Sequence, residues 1–217
     1  MPALETASLP TLPAPPPAPY SGERLSLLLR SGTAAAHEAV EHATGLPDAV
    51  ADMAGYRACL QGFASVILPL ERSLRLVAGW EDYGIDLAER ARAPALLADL
   101  ARLGLEPDGI APAGVPAPAD LAGGLGALYV IEGSVLGGRV ILDALTARLS
   151  ADIAGATAFF GGRGPRTGLL WQTFRAALDR FGEDEPEAKA AVVAAANRTF
   201  AAFTTTFQAH PIPRARP

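Results

Sequence analysis

The sequence predicts an all-α domain. Apolar residues recur every three or four positions in several segments, as on one face of a helix, whereas no segment alternates apolar and polar residues as a half-buried strand does. Half of the 217 residues are hydrophobic, which is a globular composition, and the length suits one domain with a full core. We therefore expect a single helical domain over residues 21–208, between an N-terminal tail at 1–20 and a C-terminal tail at 209–217.

The N-terminal tail is rich in proline. Residues 1–20 contain seven prolines, which cannot continue a helix interior and which favour extended polyproline structure. We interpret this segment as a flexible tail, and a docking ligand for a partner protein is the alternative. It lacks a basic region followed by a long apolar run, so neither a secretory signal nor a membrane anchor is expected.

Charge and cysteine content argue against several classes of function. The formal net charge is −5 and no basic run occurs, so nucleic acid is not an expected partner. Cys59 is the single cysteine, which excludes a disulfide framework and a thiolate metal cluster. These features fit a cytoplasmic location.

The first half of the chain predicts three helices. The first runs from Ser21 to about Ala43, the second from about Asp52 to Val77, and the third from Leu87 to about Leu103. Pro94 predicts a break or kink in the third helix. The second helix has apolar residues at the spacing of a core-facing stripe: Tyr56, Leu60, Phe63, Ile67, Leu70 and Leu74.

The second half begins, after a proline-rich loop over residues 104–118, with a glycine-rich helix over 125–142. A shorter, alanine-rich helix is predicted over residues 145–159. A glycine-rich turn follows, and two further helices are expected over about 168–181 and 186–207.

The glycine-rich helix requires a physical reason for its composition. Gly133, Gly137 and Gly138 lie inside an apolar helical pattern, and each costs about 1 kcal/mol relative to alanine. Together with Ser134 they form a patch of small residues on adjacent turns. Such a patch permits close packing of another helix, dimerisation in a membrane, or close approach of a large planar ligand. The membrane interpretation is disfavoured because the longest uncharged run in this segment has eleven residues, whereas about 20 are needed.

The first helix carries His37 on the same face as Arg30, Thr33 and Glu41. A histidine on such a helix is either structural, solvated or a metal ligand. Glu41 could accept from one imidazole nitrogen, as a metal-bound histidine usually requires. Arg30 lies about 10 Å along the helix axis from His37, which is comparable to the reach from a heme iron to a propionate. His42 points away from this face.

These two helices carry a resemblance to the heme oxygenases. The segment LRSGTAAAHEAVEH resembles the proximal helix of that family, and YVIEGSVLGG at 129–138 resembles its distal helix. Weaker matches extend the resemblance over about residues 24–207. It implies an all-α helical bundle that holds heme b between the proximal and distal helices.

The resemblance also implies roles for individual residues. His37 matches the iron ligand, and Glu41 matches the residue that holds it. Arg30 and Arg175 match basic residues for a heme propionate, although Arg175 could equally be a solvated surface residue. The heme-binding set that we predict is completed by Thr33, Tyr129, Gly138 and Phe200.

The distal motif departs from the family at one position. Many heme oxygenases carry an aspartate that orders the water network for proton delivery, where this chain has Ser134. The GSxLGG variant resembles a bacterial subset that includes enzymes working beside bacteriophytochromes. We predict that Gly133, Ser134 and Gly137 form the catalytic face.

The resemblance implies oxidative cleavage of heme at a meso carbon to biliverdin, carbon monoxide and ferrous iron. It requires dioxygen and electrons from an external ferredoxin or reductase, and a bacteriophytochrome is a candidate recipient of biliverdin. The alternatives are a non-catalytic heme or bilin carrier and a thiaminase-like hydrolase. The hydrolase needs a nucleophile, and Cys59 lies on a helix stripe that indicates core packing.

Overall fold

The structure is a computed structural model that describes residues 22–107, 114–115, 117–149, 153 and 155–213. Within these residues the regular structure consists of helices, without a strand, so the predicted all-α fold is confirmed. The tail predictions for 1–20 lie outside the described residues. The α-helices are α1 Leu25–Gly32, α2 Ala34–Thr44, α3 Met53–Leu74, α4 Leu87–Arg90, α5 Ala93–Arg102, α6 Leu121–Leu149, α7 Thr167–Asp184 and α8 Lys189–Ala209.

The first predicted helix is interrupted at Thr33, so the prediction of one continuous helix is wrong. Thr33 has φ −114° and ψ 0°, and its hydroxyl donates to the Leu29 carbonyl at 2.6 Å. A β-branched residue with a hydroxyl competes with the backbone for helical hydrogen bonds. The histidine-bearing segment is therefore a separate helix, α2, which begins directly after Thr33.

The third predicted helix is broken, as expected near Pro94, into α4 and α5. The prediction of an alanine-rich helix over 145–159 is wrong. Residues up to Leu149 extend α6, Gly155 has φ +84°, and residues 158–163 form turns. The buried Asp99 carboxylate accepts from the backbone N–H groups of Ala158 and Phe159 at 3.0 and 2.8 Å. This side chain satisfies donors that a helix would otherwise use.

The core lies around α3, α6 and α8. Gly126 of α6 approaches the Val192 carbonyl of α8 so closely that a Cβ at this position could not be accommodated. Phe63 of α3 lies against four other aromatic rings: Phe159, Phe160, Phe203 and Phe207. The stripe predicted for the second helix is buried, as is Cys59. The helix spacing in the sequence thus identified the core correctly.

Helix α6 is long and apolar enough to cross a membrane by length and composition alone. Half of its most apolar window is buried inside the protein. Close packing against α8 through Gly126 accounts for that apolar composition, as in the core helix of a folded domain.

Candidate active site

Tyr129 of α6 lies at the centre of a polar cluster that joins three helices. Its phenol lies beside the Thr33 side chain, at the junction of α1 and α2. Burial raises the pKa of Tyr129, and this shift is opposed by the nearby Thr33 hydroxyl and by the positive charges of Arg175 and Arg30. The Tyr129 ring also lies 5.7 Å from that of Trp171. Four residues predicted from distant parts of the sequence are therefore brought together.

His37 lies on α2, one helical turn beyond Thr33. Its side chain is 59% exposed, so the imidazole is accessible. Glu41 approaches Nδ1 of His37 at 3.5 Å, and the ring of Phe200 on α8 meets the imidazole edge-on at 5.6 Å. The ring is thus oriented from two sides by a carboxylate and an aromatic side chain.

The small-residue patch on α6 divides into two parts. A Cβ at Gly133 or Gly137 would meet nothing within 4 Å, whereas a Cβ at Gly138 would lie 2.8 Å from the Phe160 carbonyl oxygen. Gly138 thus serves close packing in this structure, and its contact with a cofactor remains a prediction. Gly133 and Gly137 leave space beside the helix that is free of the atoms described.

Ser134 lies between these glycines in sequence and is exposed. Its hydroxyl donates to the Ile131 carbonyl of the same helix at 2.7 Å. The hydroxyl proton is therefore engaged, but the oxygen retains lone pairs that can accept from water.

A second connection ties α6 to the loop that follows α2. The Arg148 guanidinium donates through Nη1 to the carbonyls of Pro47 and Val50 at 3.0 and 2.7 Å. Thr33 precedes α2 and pairs with Tyr129, while this loop follows α2 and pairs with Arg148. Because the contacts occur in the same order along both segments, α2 and this part of α6 run in the same general direction. His37, Gly133 and Gly137 lie between the two connections in sequence.

The structure also contains a buried ion-pair network that was not predicted. Glu132, which is 1% exposed, is adjacent to Gly133 in α6 and accepts from Arg90 at 3.0 Å and from Arg163 at 2.7 Å. Arg90 also donates to the Leu170 carbonyl of α7 at 3.0 Å. Burial lowers the pKa of Arg90, and the facing carboxylate opposes that shift. The detectable signal was an acidic residue within an apolar helical stripe, although its partners are far away in sequence.

Comparison with known proteins gives two consistent matches. Residues 115–209 match the heme oxygenase family. A protein named heme oxygenase from Xanthomonas campestris pv. campestris (strain 8004) is 37% identical over 154 residues, which cover 66% of this chain and 89% of the relative. The family match includes α6, α7 and α8, and with them Tyr129, the glycine face, Arg175 and Phe200. Most of the relative's length therefore has a counterpart in this chain.

Proposed function

The chain belongs to the heme oxygenase family, whose members bind and degrade heme, and on this basis we propose that it cleaves heme at a meso carbon. The products would be biliverdin, carbon monoxide and ferrous iron, formed with dioxygen and electrons from an external ferredoxin or reductase. The observation that carries the proposal is that Arg30, Thr33, Tyr129 and Arg175 lie close together. Thr33 is one helical turn before His37, and Tyr129 is one turn before Gly133. Family membership favours this enzyme over a carrier or a hydrolase.

The described residues fit a heme in their chemistry. Heme b would supply the iron at which dioxygen is activated, and it is also the molecule that is oxidised. A planar macrocycle needs a face without side chains, which Gly133 and Gly137 would provide, and a nitrogen ligand, which His37 would provide. Its two carboxylates need cations, which Arg30 and Arg175 provide.

We assign iron ligation to Nε2 of His37. Glu41 lies beside Nδ1 at 3.5 Å, so this carboxylate would hold the Nδ1 proton and leave Nε2 with its lone pair. The edge-on ring of Phe200 restricts rotation of the imidazole. A neutral imidazole ligand also avoids the strong electron donation of a thiolate, which favours cleavage of the O–O bond.

We assign the propionates to the cluster around Tyr129. Arg30 and Arg175 would supply positive charge from two different helices, and the Tyr129 phenol would donate a hydrogen bond. Anchoring at this edge would fix the rotation of the macrocycle in its plane and thereby the meso carbon that faces the site of oxidation.

Gly133 and Gly137 would let the ring approach the α6 backbone, where its bulk excludes solvent. Ser134 is the candidate for ordering the water that would deliver the proton, because its oxygen can accept from that water while its own proton is held by the Ile131 carbonyl. We further propose that the domain comprises residues 21–208, that the protein acts in the cytoplasm, and that a bacteriophytochrome receives the biliverdin.

The test is a reconstitution under anaerobic conditions with hemin, followed by dioxygen and either a reductase or ascorbate. Catalase is included to remove free peroxide. The expected result is loss of the Soret band, growth of a biliverdin band and release of carbon monoxide. An oxygen-bound heme spectrum that decays without formation of biliverdin would contradict the proposed reaction.

A further inference from the structure

Arg148 makes an unusual set of contacts for a residue near a helix terminus. One guanidinium nitrogen donates to two main-chain carbonyls, Pro47 at 3.0 Å and Val50 at 2.7 Å, and the other approaches the Asp48 carboxylate at 3.2 Å. Val50 is fully buried, so the loop is anchored in the core at the same place. Because a planar guanidinium fixes the direction of its donors, these contacts define both the position and the orientation of the loop.

This connection lies at the end of α2 away from the Tyr129 cluster. Tyr129 and Arg148 are separated by about 28 Å along α6, at a rise of about 1.5 Å per residue. Helix α2 is shorter, at about 16 Å for its eleven residues. Tyr129 lies beside Thr33 at the start of α2, where Asn197 of α8 also donates to the Gly32 carbonyl at 3.0 Å, and Arg148 fixes the loop that follows the end of α2.

Helix α2 packs along α8, where the Phe200 ring meets His37, but it has few direct contacts with α6. Most of its side chains are exposed, and Thr44 is its one buried residue. Its separation from α6 therefore depends on α8 and on the connections at its two ends. The Arg148 contacts are therefore placed to control how far α2 moves from α6.

We propose that Arg148 is a positioning residue that holds α2 at a fixed separation from α6. In this role it does not touch heme. It sets the gap between the helix that carries His37 and the helix that carries Gly133 and Gly137, and so limits the rates at which heme and product leave. That the bound molecule is heme rests on the proposed function, whereas the control of helix separation by Arg148 does not.

The first test measures the gap directly in the full chain without heme. Spin labels are placed at Ala39→Cys on α2 and Val140→Cys on α6, both exposed, in a Cys59→Ala background, and their distance distribution is measured by pulsed electron resonance. Arg148→Met removes every donor and keeps an apolar stem, so the distribution should broaden toward longer distances. A distribution that superimposes on that of the parent overturns the proposal.

Two further variants distinguish loss of the Arg148 contacts from general destabilisation of the fold. Arg148→Lys can keep one carbonyl contact, so its distribution should lie between those of the parent and Arg148→Met. Asp48→Asn leaves both carbonyl contacts intact, and its 90% exposed side chain should be dispensable, so it should match the parent. If Arg148→Met does not fold, a Lys variant with the parental distribution contradicts the proposal.

The second test follows transfer of heme from the reconstituted proteins to an excess of apomyoglobin. Arg148→Met should raise the first-order rate of heme loss about tenfold or more, with Asp48→Asn within about twofold of the parent. An unchanged rate of heme loss in Arg148→Met overturns the proposed link between the Arg148 contacts and heme exchange. If no protein in the series degrades heme but the distances respond, the role of Arg148 stands while the proposed function fails.

Discussion

The Tyr129 phenol, in the first third of α6, lies beside the Thr33 side chain at the point where α1 breaks. His37 and Gly133 each follow one turn later on their own helices. This pairing brings two segments that are almost one hundred residues apart in sequence into a defined register. The break at Thr33 is part of the same arrangement, because the residue that interrupts the helix also provides the hydroxyl.

Tyr129→Phe should weaken heme binding while it preserves the aromatic contact with Trp171. Loss of the phenol removes one hydrogen bond to the proposed propionate site, so the affinity for hemin should fall about tenfold. Titration followed at the Soret band measures the effect. Tyr83→Phe is the control, since Tyr83 packs on Phe181 and belongs to another part of the fold. Equal affinities for the two variants would argue against the assignment.

His37→Ala should abolish the spectrum of histidine-ligated ferric heme, and added imidazole should restore it. The reason is that His37 carries the accessible imidazole with an oriented ring and a carboxylate partner. His42→Ala is the matched control on the same helix and should keep the parental spectrum. If the His42 variant loses that spectrum instead, the ligand has been assigned to the wrong histidine.

Gly137 and Gly138 are neighbours whose substitutions should have opposite consequences. Gly137→Ala adds a Cβ in open space, so the free energy of unfolding should rise by up to about 1 kcal/mol through helix propensity, while heme turnover falls. Gly138→Ala places a Cβ 2.8 Å from the Phe160 carbonyl oxygen and should destabilise the fold by about 1–3 kcal/mol. Denaturant unfolding and single-turnover absorption measurements check both. Equal loss of stability in the two variants would contradict the division of the patch.

Ser134→Ala tests proton delivery. The side chain is exposed and its hydroxyl bonds within its own helix, so the fold should be unaffected. Removal of the oxygen that accepts from water should slow biliverdin formation about 100-fold if the hydroxyl orders the water that delivers the proton. Parental turnover in this variant would show that the hydroxyl is dispensable.

Glu132→Leu should be strongly destabilising. It leaves Arg90 and Arg163 without their buried carboxylate partner, and breaking a buried ion pair in this way costs about 3–5 kcal/mol. Urea unfolding measures the loss. Asp143→Asn removes the exposed partner of Arg139 on the same helix and should cause little change. Similar small effects for both substitutions would show that the network contributes little to stability.

The parts of this fold that could be predicted from sequence are those set by local periodicity. The stripe from Tyr56 to Leu74 is buried as its spacing predicts, and Pro94 lies beside a real helix break. The turn at Phe159 could not be predicted from local sequence, because the group that satisfies its backbone is Asp99, 60 residues earlier. Gly138 packs closely and Gly137 does not because only Gly138 faces the Phe160 carbonyl, which is distant in sequence. Local pattern and the family resemblance supplied the predicted site residues, and tertiary contacts determine which of them pack.

The Glu132 network has a consequence for the order in which the domain assembles. Its carboxylate joins Arg90, which is 42 positions away, and Arg163, which is 31 positions away, so both pairs require closure of long chain segments. Non-local contacts of this kind slow folding, because the entropy of loop closure is lost before the contacts stabilise the chain. The part of α6 that follows Glu132 contains Gly133, Gly137 and Gly138 and therefore has little intrinsic helical stability. We therefore expect this part of α6 to become rigid only when the network forms, and hydrogen exchange there to report on opening of the network rather than on the helix alone.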